Sequence, residues 1–241
     1  MALFINLNLV YMNRDKFRIS FLSISLITIL TVTGYSQDVS GSKWNPGFDL
    51  VSSYLWRGSV YGRGPAIQPQ LELSVGRLTA GAWGSFDFNG FTETDIYLLW
   101  SITSLLEAGI TDYYYPDLSY FDYSSESGSH AFELNFYCYP GNFSFQAHYV
   151  LNRAGGAGSL GGDKYFEAGY GFKSVSFFAG AGDGWHTFDP ETGNGSFKIC
   201  NIGIQAIKTI NLTDNFNLPL MVQLIFNPDQ ERLFVVAGIS F

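Results

Sequence analysis

From residue 46 onward, apolar and polar side chains alternate in runs of about ten residues, the length a tilted strand needs to cross hydrocarbon. The clearest run is 231–241, ERLFVVAGISF. Leu233, Val235, Ala237, Ile239 and Phe241 make one unbroken apolar face. Phe234, Val236, Gly238 and Ser240 make the other, which shrinks and turns polar toward the end. Successive side chains of a strand point to opposite faces, so this pattern suits a strand lying between lipid and a crowded interior. Eleven further runs follow the same rule: 48–57, 67–75, 78–88, 93–103, 106–115, 130–139, 143–151, 164–172, 175–181, 197–206 and 217–226. In the first, Tyr54 and Trp56 continue the face of Phe48 and Leu50, and Arg57 continues that of Asp49. The run 217–226 is the least regular, because Pro219, Met221 and Ile225 fall on its presumed inner face.

The connections alternate between short and long. Short ones fall at 76–77, 104–105, 140–142, 173–174 and 211–214, and long or Gly-rich ones at 59–66, 89–92, 116–129, 152–163, 183–196 and 227–231. Outer-membrane barrels have short turns at one rim and longer loops at the other, whereas the Greek-key links of a soluble sandwich have no reason to sort by parity. Composition agrees. Charged residues are 14% of the chain and aromatics 17%, against roughly 25% charge in a soluble domain. No segment after residue 36 has the 18 or so consecutive apolar residues of a membrane helix, and the other structure that satisfies its backbone in lipid is a closed barrel. The expected fold is therefore all-β: a transmembrane antiparallel up-and-down barrel of about 12 strands, formed by residues 37–241 as one domain.

The amino-terminal stretch reads as an export signal. Arg14, Lys16 and Arg18 form a basic head, 19–32 an apolar run, and Gly34 and Ser36 supply small residues before Gln37, so residues 1–36 are expected to be a signal peptide with Met12 as its true start. Removing it leaves a chain more acidic than the −8 of the whole sequence, which argues against nucleic acid as a partner. The two cysteines, Cys138 and Cys200, are both placed on the lipid face, far apart and unpaired.

The residues with chemistry gather on the inner face. Asp49, Glu72, Asp87, Glu93, Asp95, Glu107, Glu133 and Glu167 are acids there, against Arg57 and His148 as bases. Rings of one sign in a narrow pore favour the opposite ion, so one reading is a cation-preferring channel. The other is a filled lumen, in which the acids pair with Arg57, tyrosine hydroxyls and Ser or Thr. Glu93 and Asp95 lie two apart on one strand with Asp87 on the next, and are expected to share one field. No Ser beside His130, His148 or His186 forms a nucleophile motif, so no enzyme is expected, a lipid-modifying barrel being the remote alternative. Asp183, Asp189 and Glu191 lack the regular spacing of a calcium loop, so no metal or cofactor is expected. Tyr113 to Pro116 with Tyr120, Phe121 and Tyr123 make an aromatic outer edge, as an interfacial girdle or as a ligand-binding rim on an adhesion barrel.

Several motifs together resemble a known family: DLVSSYLWRGS at 49–59, Gln68-Pro69, GAWGS at 81–85, TDYYYP at 111–116 with Ser125 to Gly128, and Asn227-Pro228 before the closing strand. These are similar to the TorF-like outer-membrane porins. The resemblance implies a barrel that passes small solutes across the outer membrane, and brings no catalytic residues to these positions. Phe241 at the end of an alternating strand likewise resembles the signal read by the outer-membrane assembly machinery, making that machinery, outer-membrane lipid and small solutes the expected partners.

Overall fold

A computed structural model describes residues 42–187, 195–213 and 216–241. The expected signal peptide lies outside the described residues. In chain order the strands are β1 (Ser42–Val51), β2 (Tyr54–Trp56), β3 (Ser59–Gly62), β4 (Ala66–Val75), β5 (Leu78–Asp87), β6 (Thr92–Ser101), β7 (Leu106–Tyr114), β8 (His130–Cys138), β9 (Phe143–Val150), β10 (Lys164–Phe172), β11 (Val175–Gly182), β12 (Lys198–Thr213), β13 (Phe216–Asn227) and β14 (Arg232–Ser240). Twelve of them, β1 and β4 to β14, close into one antiparallel barrel in which each strand pairs with the wall strands before and after it, β1 with β4 and β14. The ring is completed where Asp49, Leu50 and Val51 of β1 meet Ser240, Ile239 and Gly238 of β14, with Phe48 and Phe241 exchanging backbone bonds and stacking their rings 4.7 Å apart.

The alternation read from the sequence is the alternation between outside and inside. On β6, Ile96, Leu98 and Trp100 are about half exposed while Glu93, Asp95 and Tyr97 are buried. On β14, Leu233 and Val235 are 63% and 65% exposed and Val236 only 1%. An outer surface this apolar is suited to hydrocarbon rather than water. Among the described residues no helix is long and apolar enough to cross a membrane.

Two local features depart from expectation. The run 48–57 is not one strand. β1 ends at Val51, where Ser52 N–H donates to the Ala237 carbonyl and Ser52 Oγ accepts from Ala237 N–H, and the chain then turns into the lumen as the β2–β3 hairpin. Trp56 faces Ser59 across a two-residue turn, Arg57-Gly58, with φ of +50° and +83°. A tight hairpin turn needs positive φ at both central positions, and the glycine has a second role: a Cβ on Gly58 would lie 2.0 Å from the Cys200 carbonyl oxygen. The hairpin folds inward because both its faces are apolar or aromatic. Leu55 and Val60 pack on Met221 and Ile225 of β13 and Val236 of β14, while Tyr54 and Trp56 pack among Trp83, Tyr97, Tyr113 and Tyr137. The irregular inner face of β13 is thus the seat of the hairpin.

The second departure is at Cys200. Gly180 pairs with Asn201 but Ala181 pairs with Ile199, so Cys200 is the extra residue of a β-bulge. It is fully buried rather than on the lipid face, and both cysteines are free thiols.

Candidate functional site in the barrel lumen

The hairpin tip carries Arg57 to mid-lumen. Its guanidinium grips Glu133 of β8 with Nη1 to Oε2 at 2.7 Å and Nη2 to Oε1 at 2.8 Å, the two-pronged geometry that fits guanidinium to carboxylate. The same group lies 4.3 Å from the centre of the Trp56 ring and 4.7 Å from that of Tyr165. Glu133 also accepts from the Tyr113 hydroxyl at 2.9 Å and has His148 Nδ1 at 3.1 Å. His148 Nδ1 lies 2.7 Å from Asn135 Oδ1 as well. A charged pair this deep is tolerated because every prong is answered.

From above, the short 3₁₀ turn Gly184–His186 sets His186 Nε2 3.4 Å from Arg57 Nη1, between the Trp56 and Tyr165 rings. Burial, and then the positive charge of Arg57, hold the His186 ring well below the ordinary imidazole range, so it stays neutral and can accept the guanidinium N–H. Trp185 donates to the Ala157 carbonyl, and the backbone of 155–157 bonds to Ser125 and Gly128, so three long loops meet over the hairpin.

The remaining inward acids do not form one ring. Glu167 accepts from Tyr165 at 2.5 Å and from Asn201 at 2.9 Å. Glu72 accepts from Tyr97 and Asn45, and Glu107 from Ser101, both nearer the short-turn rim. Asp49 sits at the closing seam opposite Ser240. Glu93 and Asp95 are buried side by side on β6, with the Tyr54 hydroxyl 3.4 Å from Glu93. Asp87 does not join them: its carboxylate is taken up by the N–H groups of Asn89, Phe91 and Gly64, a local turn closure. Expectation had missed His186, Tyr165 and Tyr113 as partners of this centre. The signal for the aromatics was their inward phase on β7 and β10; for His186, on an irregular loop, there was none.

The aromatic outer edge has a distinct structure. His130 starts β8 on the outer wall, stacked on Tyr114 and Tyr123 with ring centroids 5.0 and 4.6 Å away. Its Nδ1 faces both Asp112 oxygens at 2.9 and 3.0 Å and its Nε2 faces the Tyr120 carbonyl at 2.6 Å. Phe121, beside this cluster, is 83% exposed.

No family model matches this sequence, and no curated protein does. Among solved structures, the outer membrane phospholipase A from Escherichia coli is 10% identical, with 86% of this chain and 92% of that one covered and a TM-score of 0.37. OccK8 (OprE) of Pseudomonas aeruginosa is 14% identical over 85% of this chain and 67% of that one, at a TM-score of 0.36. At these scores no activity is carried across.

Proposed function

We propose that this chain is an exported outer-membrane barrel of the porin kind, related to the TorF-like proteins it resembles, through which small solutes pass by way of a constriction made by the inward hairpin. The observation that carries this reading is Arg57, held on a self-contained hairpin against Glu133 inside a closed barrel with an apolar exterior. A slight cation preference is part of the proposal. Arg57 is committed to Glu133, while Glu72 and Glu107 are partly exposed in the lower lumen and bonded by neutral donors, leaving a negative field along the path.

Planar-bilayer recordings on the refolded chain test it. The parent should give small conductance with a zero-current potential displaced in the cation-selective sense. Replacing residues 53–64 by a short Gly-Ser link should raise conductance severalfold, and Glu72→Gln with Glu107→Gln should move the potential toward that of an unselective pore. A barrel that folds but conducts neither with nor without the hairpin would sink the transport reading and leave a structural barrel.

A further inference from the structure

Below the Arg57 tip, a cavity of ≈ 90 Å³ lies between the hairpin and the β9 to β13 wall. About 10–15 Å³ suffices to admit one water, so it holds several waters or one solute of a few heavy atoms. Three carboxamides line it: Asn201 and Gln205 on β12, and Gln223 opposite Gln205 on β13. They are 5%, 5% and 2% exposed. Gln223 Nε2 donates to Gln205 Oε1 at 2.5 Å, and Asn201 Nδ2 is used by Tyr165 and Glu167. That leaves Asn201 Oδ1, Gln223 Oε1 and Gln205 Nε2 without a hydrogen-bond partner among the described residues, two acceptors and one donor on one stretch of wall. Leu55 and Trp56 face them from the hairpin, and Phe178 and Ile225 flank them on the same wall.

Buried polar groups are ordinarily satisfied, so atoms left over on the wall of a cavity point to a partner that enters it. Around the rim Arg57 and Glu133 neutralise each other, and both oxygens of Glu167 are occupied by the Tyr165 hydroxyl and the Asn201 and Gln146 amides. An entering anion would shed its hydration without gaining a counter-charge, and a cation would meet only Glu167, whose oxygens are already bonded. A neutral molecule with both donors and acceptors and a small apolar side would match both walls.

We propose that this chamber is a binding site for a small uncharged polar solute, an amide or polyol, held by Asn201, Gln205 and Gln223 under the aromatic hairpin. The proposal deepens the transport reading by naming its substrate class, but its test does not depend on conduction. The full chain, ¹⁵N-labelled and refolded in detergent, is titrated with acetamide, with glycerol and with KCl, following side-chain NH₂ resonances assigned by single substitutions. With acetamide or glycerol, the Asn201, Gln205 and Gln223 signals should shift and saturate. With KCl they should not. In Gln205→Met/Gln223→Met, which conserves volume, the Asn201 shift should need at least tenfold more solute while the barrel keeps its altered mobility in an unheated gel. Signals unmoved by both neutral probes, moved equally by KCl, or moved unchanged in the double variant would overturn the site and leave a water-filled chamber. Saturation in a protein that shows no conductance would retain the site and remove only the transport reading.

Discussion

The Arg57 guanidinium and the Glu133 carboxylate meet in two parallel bonds of 2.7 and 2.8 Å across 76 residues of chain. Because Glu133 is fully buried, removing its cation should cost more than the pair itself contributes. Arg57→Ala is expected to destabilise the barrel by about 3–5 kcal/mol, and Arg57→Met with Glu133→Gln by much less, since no charge is then stranded. Denaturant unfolding of the two variants beside the parent checks this; equal losses would show that the hairpin is held by its aromatic packing alone.

Gly58→Ala should weaken hairpin docking through two separate causes. Its φ of +83° strains any residue with a Cβ, and that Cβ would collide with the backbone of Cys200. The first effect alone is worth about 1–3 kcal/mol. Thermal loss of the fast or slow unheated gel band should occur at lower temperature in this variant than in Gly76→Ala, where φ is also positive, at +59°, but open space surrounds the Cβ.

Much of this architecture is legible in the residues. The twelve wall strands follow from alternation and loop parity, both consequences of facing lipid on one side only. The hairpin is not, because Tyr54 and Trp56 continue the phase of Phe48 and Leu50 unbroken, and a period of two cannot register that the chain has left the wall. The apolar inner residues Met221, Ile225 and Val236 were its trace. They make sense only if something inside covers them. The pairing of the acids was hidden for a related reason: Arg57 could be assigned to Glu133 only once the strand carrying it was known to turn inward. Cys200 was misplaced by a single-residue bulge, which shifts phase without a composition signal.

Acidification should loosen the centre through His186. Its folded-state ring is held neutral, below the ordinary value near 6.5, so above that pH neither folded nor unfolded chain binds the proton. Below it the unfolded chain does and the folded chain does not, and stability falls as pH drops, by at most about 1.4 kcal/mol per pH unit. His186→Gln should flatten part of the decline between pH 7 and 5 measured by denaturant midpoint. A variant as acid-sensitive as the parent would show that other groups carry the effect.

The thiols should differ in accessibility. Cys138 is only partly covered at the low end of β8, whereas Cys200 has no exposed surface. A membrane-permeant maleimide is expected to label Cys138 in the folded barrel and Cys200 only after unfolding. A Cys138–Cys200 crosslink under non-reducing conditions would contradict the strand register.

The join between β1 and β14 is the shortest pairing in the ring, Asp49 to Val51 against Gly238 to Ser240. Every other pair of wall neighbours is consecutive in the wall's chain order, β1 and β4 across the inward hairpin and the rest across one short turn or longer loop, so those strands can zip in succession. The last clasp must instead bring together segments separated by 185 residues at Ser52 and Ala237, an entropic toll set by chain length and met by few bonds. The sheet should therefore exist as a curled, open ribbon before it becomes a cylinder. The same two serine-anchored bonds that fasten the clasp also launch the hairpin into the lumen, so sealing the wall and filling its interior are one event in time.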